Sequence, residues 1–219
     1  MRTKTLLLTA ALAVAGSATS MAQVYSVNVV GYVNVDLVAG YTMLANQLNT
    51  SANNSLESIF GNSLGTGDTI FKYNGASFDS ALSLGDGSFI YSTASPFGLD
   101  PGEGSFVQVA DAKTVTLVGE VPQGTGLSVS MGAGYSIVSS IVPQSVALET
   151  IGFPADAGDT VFLFNTGTQG FDSYISLGAG SGWLGSNPSL PPSPTPAVGE
   201  SFFVQRAAAA TWTRDFTVN

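Results

Sequence analysis

The sequence predicts an all-β protein made by tandem duplication of one β-sandwich or barrel-like unit, and three observations carry that prediction. The octapeptide Gly-Asp-Thr-Ile-Phe-Lys-Tyr-Asn at 67–74 returns at 158–165 as Gly-Asp-Thr-Val-Phe-Leu-Phe-Asn. The sequence flanking both copies repeats in the same order, which defines a unit of about 95 residues. Apolar residues fall in short runs of period two, rich in β-branched and aromatic types and bounded by glycine-containing turns.

The first 22 residues read as a secretory signal peptide: Arg2 and Lys4 form the charged start, Leu6 to Ala15 the apolar stretch, and Ser20-Met21-Ala22 the small-x-small cleavage site. The apolar stretch is roughly half of the ~20 residues that a spanning helix needs, so a membrane span is not expected. Cleavage after Ala22 leaves two β units, 23–122 and 123–219, in a secreted or cell-surface protein.

The mature chain opens with alternating residues from Val24 to Val35, one long strand or two joined at Gly31. Its Val30-Gly31-Tyr32-Val33 resembles Val118-Gly119-Glu120-Val121, which suggests two equivalent edge strands. An unpaired edge recruits other chains. Pairing within the molecule is therefore expected, with β-strand addition to a neighbour as the alternative. Next, Gly40-Tyr41 and Gly134-Tyr135 each mark a turn followed by a strand, and both tyrosines are expected as core rings with a hydrogen-bonded hydroxyl. The spacing of Leu56, Ile59 and Phe60 predicts one or two helical turns, echoed at Leu148 to Phe153, hence one short helix per unit.

The octapeptide then begins with turn chemistry, because Gly tolerates positive φ and an Asp carboxylate bonds a nearby backbone N–H. Alternation sets Thr69, Phe71 and Tyr73 on one face, matched by Thr160, Phe162 and Phe164, and that face is read as the core. Lys72, replaced by Leu163, lies on the opposite face, expected to be solvated in the first unit and more covered in the second. Each unit closes on a second echo, Gly102-Glu103-Gly104-Ser105-Phe106-Val107-Gln108 against Gly199-Glu200-Ser201-Phe202-Phe203-Val204-Gln205, and a final strand. Residues 187–196 hold five prolines, which predicts a stiff exposed loop. Only the short Gly119 to Leu127 stretch joins the units, so they should pack closely, with Phe71 equivalent to Phe162 and Phe106 to Phe203.

Composition narrows the chemistry. There are no cysteines and no histidines, so thiol nucleophiles, disulfides, histidine bases and histidine metal ligands are excluded. Only 10% of residues are charged, against the usual quarter. The mature chain carries four basic and 15 acidic side chains, a formal −11, which repels phosphate backbones and excludes nucleic acid as an expected partner.

Carboxylates repeat at Asp68/Asp159, Asp79/Asp172 and Glu103/Glu200, as structural turn acids would, so a carboxylate-dependent hydrolase ranks last among the readings. Calcium, which takes oxygen ligands, is the one cation this composition suits. Its candidates are Asp100 with Glu103 and Asp156 with Asp159, though turn capping is the default role for all four. Trp183, in a glycine-rich stretch, is the candidate platform for stacking on a sugar, with Trp212 on the last strand; the competing reading has Trp183 capping a core edge.

Nearly all of 23–219 resembles a family of uncharacterised secreted proteins of verrucomicrobial and related bacteria. The likeness rests on the opening Val24 to Asn34, the two Gly-Asp-Thr strands, Gly119-Glu120-Val121-Pro122-Gln123-Gly124, Gly199-Glu200-Ser201-Phe202-Phe203-Val204 and Ala210-Thr211-Trp212-Thr213-Arg214. It implies export and a duplicated β fold, and it brings no catalytic residue or ligand. The functional expectation is a non-enzymatic structural or adhesive protein with an extracellular polysaccharide or protein as partner. A glycan-binding module is the alternative.

Overall fold

A computed structural model of the chain describes residues 29–50 and 53–218; residues 1–22, read above as a signal peptide, and Val24 to Asn28 lie outside the described residues. Among the described residues it contains fourteen strands and one short helix. In the first half these are β1 (Val30–Leu37), β2 (Gly40–Ala45), α1 (Leu56–Phe60), β3 (Thr69–Tyr73), β4 (Phe78–Ser83), β5 (Phe89–Tyr91), β6 (Gly104–Val109) and β7 (Lys113–Glu120). The second half has β8 (Gly124–Met131), β9 (Gly134–Val138), β10 (Thr160–Asn165), β11 (Gly170–Ser176), β12 (Trp183–Gly185), β13 (Phe202–Arg206) and β14 (Ala210–Phe216).

The halves have one topology. A five-stranded antiparallel sheet, β2-β6-β3-β4-β5 in one and β9-β13-β10-β11-β12 in the other, is accompanied by a two-stranded ribbon, β1-β7 or β8-β14. Phe71 lies opposite Phe106, and Phe162 opposite Phe203, so the equivalences read from the repeats hold residue by residue. β1 pairs with β7 along its full length, from Val30 opposite Glu120 to Leu37 opposite Lys113. The two Val-Gly segments are therefore partners, with Gly31 opposite Gly119, and not equivalent edges.

Each unit is a sandwich of ribbon on sheet. In the first, Val33, Val35 and Leu37 of β1 with Val115 and Leu117 of β7 pack onto Ile70, Ala81, Val107 and Val109, and α1 adds Leu56, Ile59 and Phe60. The second repeats this with Val129, Met131 and Trp212 over Val161 and Val204. The face assignment made from sequence is therefore inverted. Ile70 and Val161 are fully buried, whereas Phe71, Tyr73, Phe162 and Phe164 are half-buried on the other side of their sheets. The compact aliphatic row meets the unit's own ribbon, and the bulkier rings turn toward the other unit. Lys72 shares the Ile70 side but sits at its end, where Nζ donates to Gly98 O at 2.9 Å and Glu103 Oε2 at 2.7 Å. Leu163 at the equivalent place packs against the second core.

The helix forms in one unit only. Ser55 caps α1 by accepting from Ser58 N at 3.3 Å, and Gly61 ends it at φ 48°. In the second unit Ala147 stands where Ser55 would, without a side-chain acceptor, and Gly152 is inserted before Phe153. The segment closes instead as a turn, with Phe153 N donating to Leu148 O at 3.0 Å. The proline-rich loop also differs from expectation: Ser193, Pro194 and Pro196 are buried, and Pro194 O accepts from Leu148 N at 3.0 Å.

Only 121–123 separate β7 from β8, and the units embrace through reciprocal contacts. Leu44 bridges Glu200, and its counterpart Val138 bridges Glu103. Ala45 N donates to Gly199 O, and its counterpart Ser139 N donates to Gly102 O, both at 2.8 Å. The two halves are thus related by a pseudo-two-fold axis, as subunits of an isologous dimer would be. A Cβ on Gly199 (φ 79°) would stand 2.5 Å from Val35 Cγ2, and one on Gly102 (φ 95°) 2.4 Å from Val129 Cγ2. Each turn therefore presses against the other unit's ribbon where a side chain has no room. Gly199→Ala is expected to cost about 1–3 kcal/mol in urea unfolding, combining overpacking with positive φ, while Gly132→Ala, whose Cβ would meet only Ser136 Oγ at 3.9 Å, should stay within about 0.5 kcal/mol.

Candidate functional site

The aromatic faces of the two sheets confront each other across the pseudo-two-fold axis. Period-two alternation sets Phe71 and Tyr73 of β3, Phe78 of β4 and Phe106 of β6 on one side of the first sheet, and the turn at Gly40 (φ 103°) delivers Tyr41 to the same side. Tyr135, Phe162, Phe164, Phe171 and Phe203 repeat the set. Phe106 and Phe203 meet near the axis with centroids 6.0 Å apart. Around them each unit lends a ring to the other: Tyr73 packs edge-on to Phe203 at 5.7 Å, and its counterpart Phe164 edge-on to Phe106 at 5.4 Å. Such pairs contribute about 0.5–1.5 kcal/mol each beyond the area they bury.

The rings do not close over one another. Tyr41 and Tyr135 are 40% and 44% exposed, and Phe78 and Phe171 are similarly open. The tyrosines expected in the core therefore line a groove, because the core lies on the opposite face of their strands. The groove has two pseudo-equivalent lobes. One, about 310 Å³, is lined by Tyr73, Tyr135, Phe162, Phe171 and Phe203. The other, about 430 Å³, is lined by Tyr41, Phe71, Phe78, Phe106, Phe164 and Gln169.

Gln169 has no counterpart, since two more residues lie between Phe164 and Phe171 than between their counterparts Tyr73 and Phe78. Held at φ 52°, it accepts from Tyr41 N at 2.8 Å and donates to Tyr41 O at 3.1 Å, so it satisfies the free edge of β2. Exposed Leu82 and Ile90, paired across β4 and β5, and Ile175 and Leu184, paired across β11 and β12, extend the apolar face outward from either lobe.

The carboxylates considered for calcium have other work. Glu103 Oε2 accepts from Asp100 N at 2.8 Å and from Lys72 Nζ, and Asp100 Oδ1 accepts from Asn54 Nδ2 at 3.0 Å. Asp159 Oδ2 accepts from Asp156 N at 2.9 Å, and Arg206 binds both, reaching Asp159 at 2.7 Å and Asp156 at 3.0 Å. Asp68, the counterpart of Asp159, is neutralised by Lys113. Asp79 and Asp172 accept from the turn residues Asn74 and Asn165. Trp183 is half-buried against the second core, tilted on Phe153 at 6.3 Å, as its counterpart Phe89 is against the first. It caps a core edge because the odd positions of β12 face inward, and it is exposed Leu184 that points to the groove side. Trp212 is buried, with Nε1 donating to Ile151 O at 3.1 Å.

Burial raises the pKa of Glu200 from its ordinary 4.5, only partly offset by the N–H of Ala197 at 2.7 Å. It lacks the cation that serves Glu103, because Leu163 replaces Lys72. The chain as a whole matches no family model, no curated protein and no solved structure.

Two outcomes follow. Arg206 and Asp159 are both buried, so Arg206→Ala should cost about 3–5 kcal/mol by chemical denaturation, whereas Lys72→Ala at the partly exposed pair should cost under about 1 kcal/mol. Because the folded state holds the Glu200 proton more tightly than the unfolded chain, stability from this group is present at low pH and is lost as pH rises above 4.5 through the raised value. Relative to wild type, Glu200→Gln should gain stability as pH climbs from 4 to 7, measured as the difference between the two denaturation midpoints.

Proposed function

We propose that the protein is an exported, non-enzymatic structural or adhesive protein whose working surface is the aromatic groove. A single observation carries this reading: ten aromatic side chains, five from each unit, are gathered at one seam and left partly open to solvent. A soluble protein rarely leaves so large a contiguous apolar surface uncovered unless something docks on it, since patches above ~300–600 Å² are uncommon on monomers. The groove walls carry no charged side chain and one side-chain amide, a composition suited to an apolar partner and short of the hydrogen-bonding groups that fix a soluble sugar. The acids of the turns are engaged by lysine, arginine and backbone N–H groups, which supports structural roles for them over hydrolytic ones.

Glycan binding is the second reading, and what favours it is the exposure of Tyr41 and Tyr135, whose rings offer stacking surfaces that Trp183 does not. Phe78→Ser combined with Phe171→Ser opens both lobes while touching only exposed rings. This double variant should keep the wild-type circular dichroism spectrum, lose most enhancement of an apolar fluorescent dye such as anilinonaphthalene sulfonate, and lower retention on the producing cell or its matrix by tenfold or more. Unchanged dye binding and retention would refute the groove as the working surface. Retention abolished specifically by soluble polysaccharide would favour the glycan reading.

A further inference from the structure

The outer face of the first ribbon carries an apolar knob that the second ribbon lacks. On β1 and β7 the outward row reads Val30, Tyr32, Asn34 and Asp36 beside Thr114, Thr116 and Val118, and Tyr32 stands directly opposite Val118. Tyr32 is 72% exposed, the most exposed of the large apolar side chains among the described residues, and Val30 and Val118 flank it at 55% and 44%. The equivalent positions of the second unit are Gly124, Gly126 and Asp215, where Gly126 N donates to Asp215 Oδ1 at 2.7 Å. The rest of both rows is polar: Asn34 bonds Thr116 and Asp36 bonds Thr114 in one, and serines face threonines in the other. The duplication has therefore kept one aromatic groove shared by both units and placed one aromatic knob on a single unit.

We infer that the groove's occupant is a second copy of this chain, which inserts Tyr32, supported by Val30 and Val118, into the lobe formed by Tyr41, Phe71, Phe78, Phe106, Phe164 and Gln169. The inference rests on the reading of the groove as the working surface. The lobe, at about 430 Å³, admits an aromatic side chain between its rings, and tyrosine with its apolar body and polar tip is the type enriched in such contacts. Gln169 is the polar group in the lining, and its carbonyl oxygen has a second lone pair to accept the Tyr32 hydroxyl. The three knob residues expose on the order of 300 Å² of apolar surface, a suitable desolvated centre for a contact of ~800 Å² per partner.

Knob and groove lie on opposite sides of the first sandwich, because the ribbon covers the aliphatic face of the sheet and the groove is on its aromatic face. A chain cannot fill its own groove, and the contact is heterologous, so repetition produces open head-to-tail assemblies. All copies are acidic, so added salt screens their repulsion and strengthens the contact.

Sedimentation velocity on the exported chain at about 100 μM, the range in which modest interfaces populate, tests this directly. Wild type should form a ladder of species extending beyond the dimer and growing with salt. A knob variant, Tyr32→Ser with Val118→Ser, and the groove variant, Phe78→Ser with Phe171→Ser, should each be monomeric with unaltered circular dichroism. Mixed one to one, they should form a heterodimer and nothing larger, since each supplies the surface the other lacks. A wild-type chain that stays monomeric overturns the inference, as does a knob variant that associates like wild type. If wild type is monomeric while the groove variant still loses cell retention, the groove remains the working surface and its partner is foreign; if the groove variant alters neither, both readings fall.

Discussion

The reciprocal seating of the two Gly-Glu turns is the contact on which the rest of the architecture depends. Gly102 and Gly199 each sit at positive φ against a valine of the other unit's ribbon, and their carbonyls accept from Ser139 and Ala45 across the axis. A residue with a Cβ is disfavoured twice there, by sterics against the neighbour and by backbone conformation. With three residues between the last strand of one unit and the first of the next, these bonds set how the two sheets face each other. Neither unit is complete without its partner: Leu44 finds its bridge on Glu200 and Val138 finds its bridge on Glu103.

From that geometry the aromatic seam follows. Each sheet is apolar on both faces, and a sheet of that kind needs two covers. The aliphatic face receives the unit's own ribbon, closing a dry core around Ile70 and Val107 or Val161 and Val204. The aromatic face receives only the inner edge of the other unit, enough to bring Phe106 to Phe203 but not enough to bury Tyr41, Phe78, Tyr135 or Phe171. The groove is what a two-fold contact leaves open when it covers half of a ring-bearing face.

Divergence between the copies is local and compensated. The same buried turn carboxylate is neutralised by Lys113 on β7 in one unit and by Arg206 on β13 in the other. Replacing Lys72 by Leu163 enlarges the second core, and burial makes Glu200 hold its proton more tightly. Ser55 supports a helix where Ala147 supports only a turn. The changes at Tyr32 and Gln169 differ in kind, because they lie on the surface and distinguish the two ends of an otherwise symmetric molecule.

The duplication, the strand periodicity and the equivalence of Phe71 with Phe162 and of Phe106 with Phe203 were all determined by sequence alone, because period-two alternation and repeated turn residues are local properties that a single strand displays. The turn acids were legible for the same reason: a carboxylate three residues from its N–H partner acts within its own loop, as Asp159 does on Asp156. Which face of each strand is core was a tertiary decision. Ile70 and Phe71 are both apolar, and only the ribbon's arrival on one side and the second unit's on the other separates a buried aliphatic row from an open aromatic one. Tyr41 and Tyr135 were read as core, and Trp183 stayed open between a sugar platform and a core cap, because hydrophobicity reports that a side chain seeks cover, not which element supplies it. In the second octapeptide, Val161 and Leu163 on the face opposite Phe162 and Phe164 were the available sign that the sheet is covered twice, and the axis between the units decided where the second cover stops.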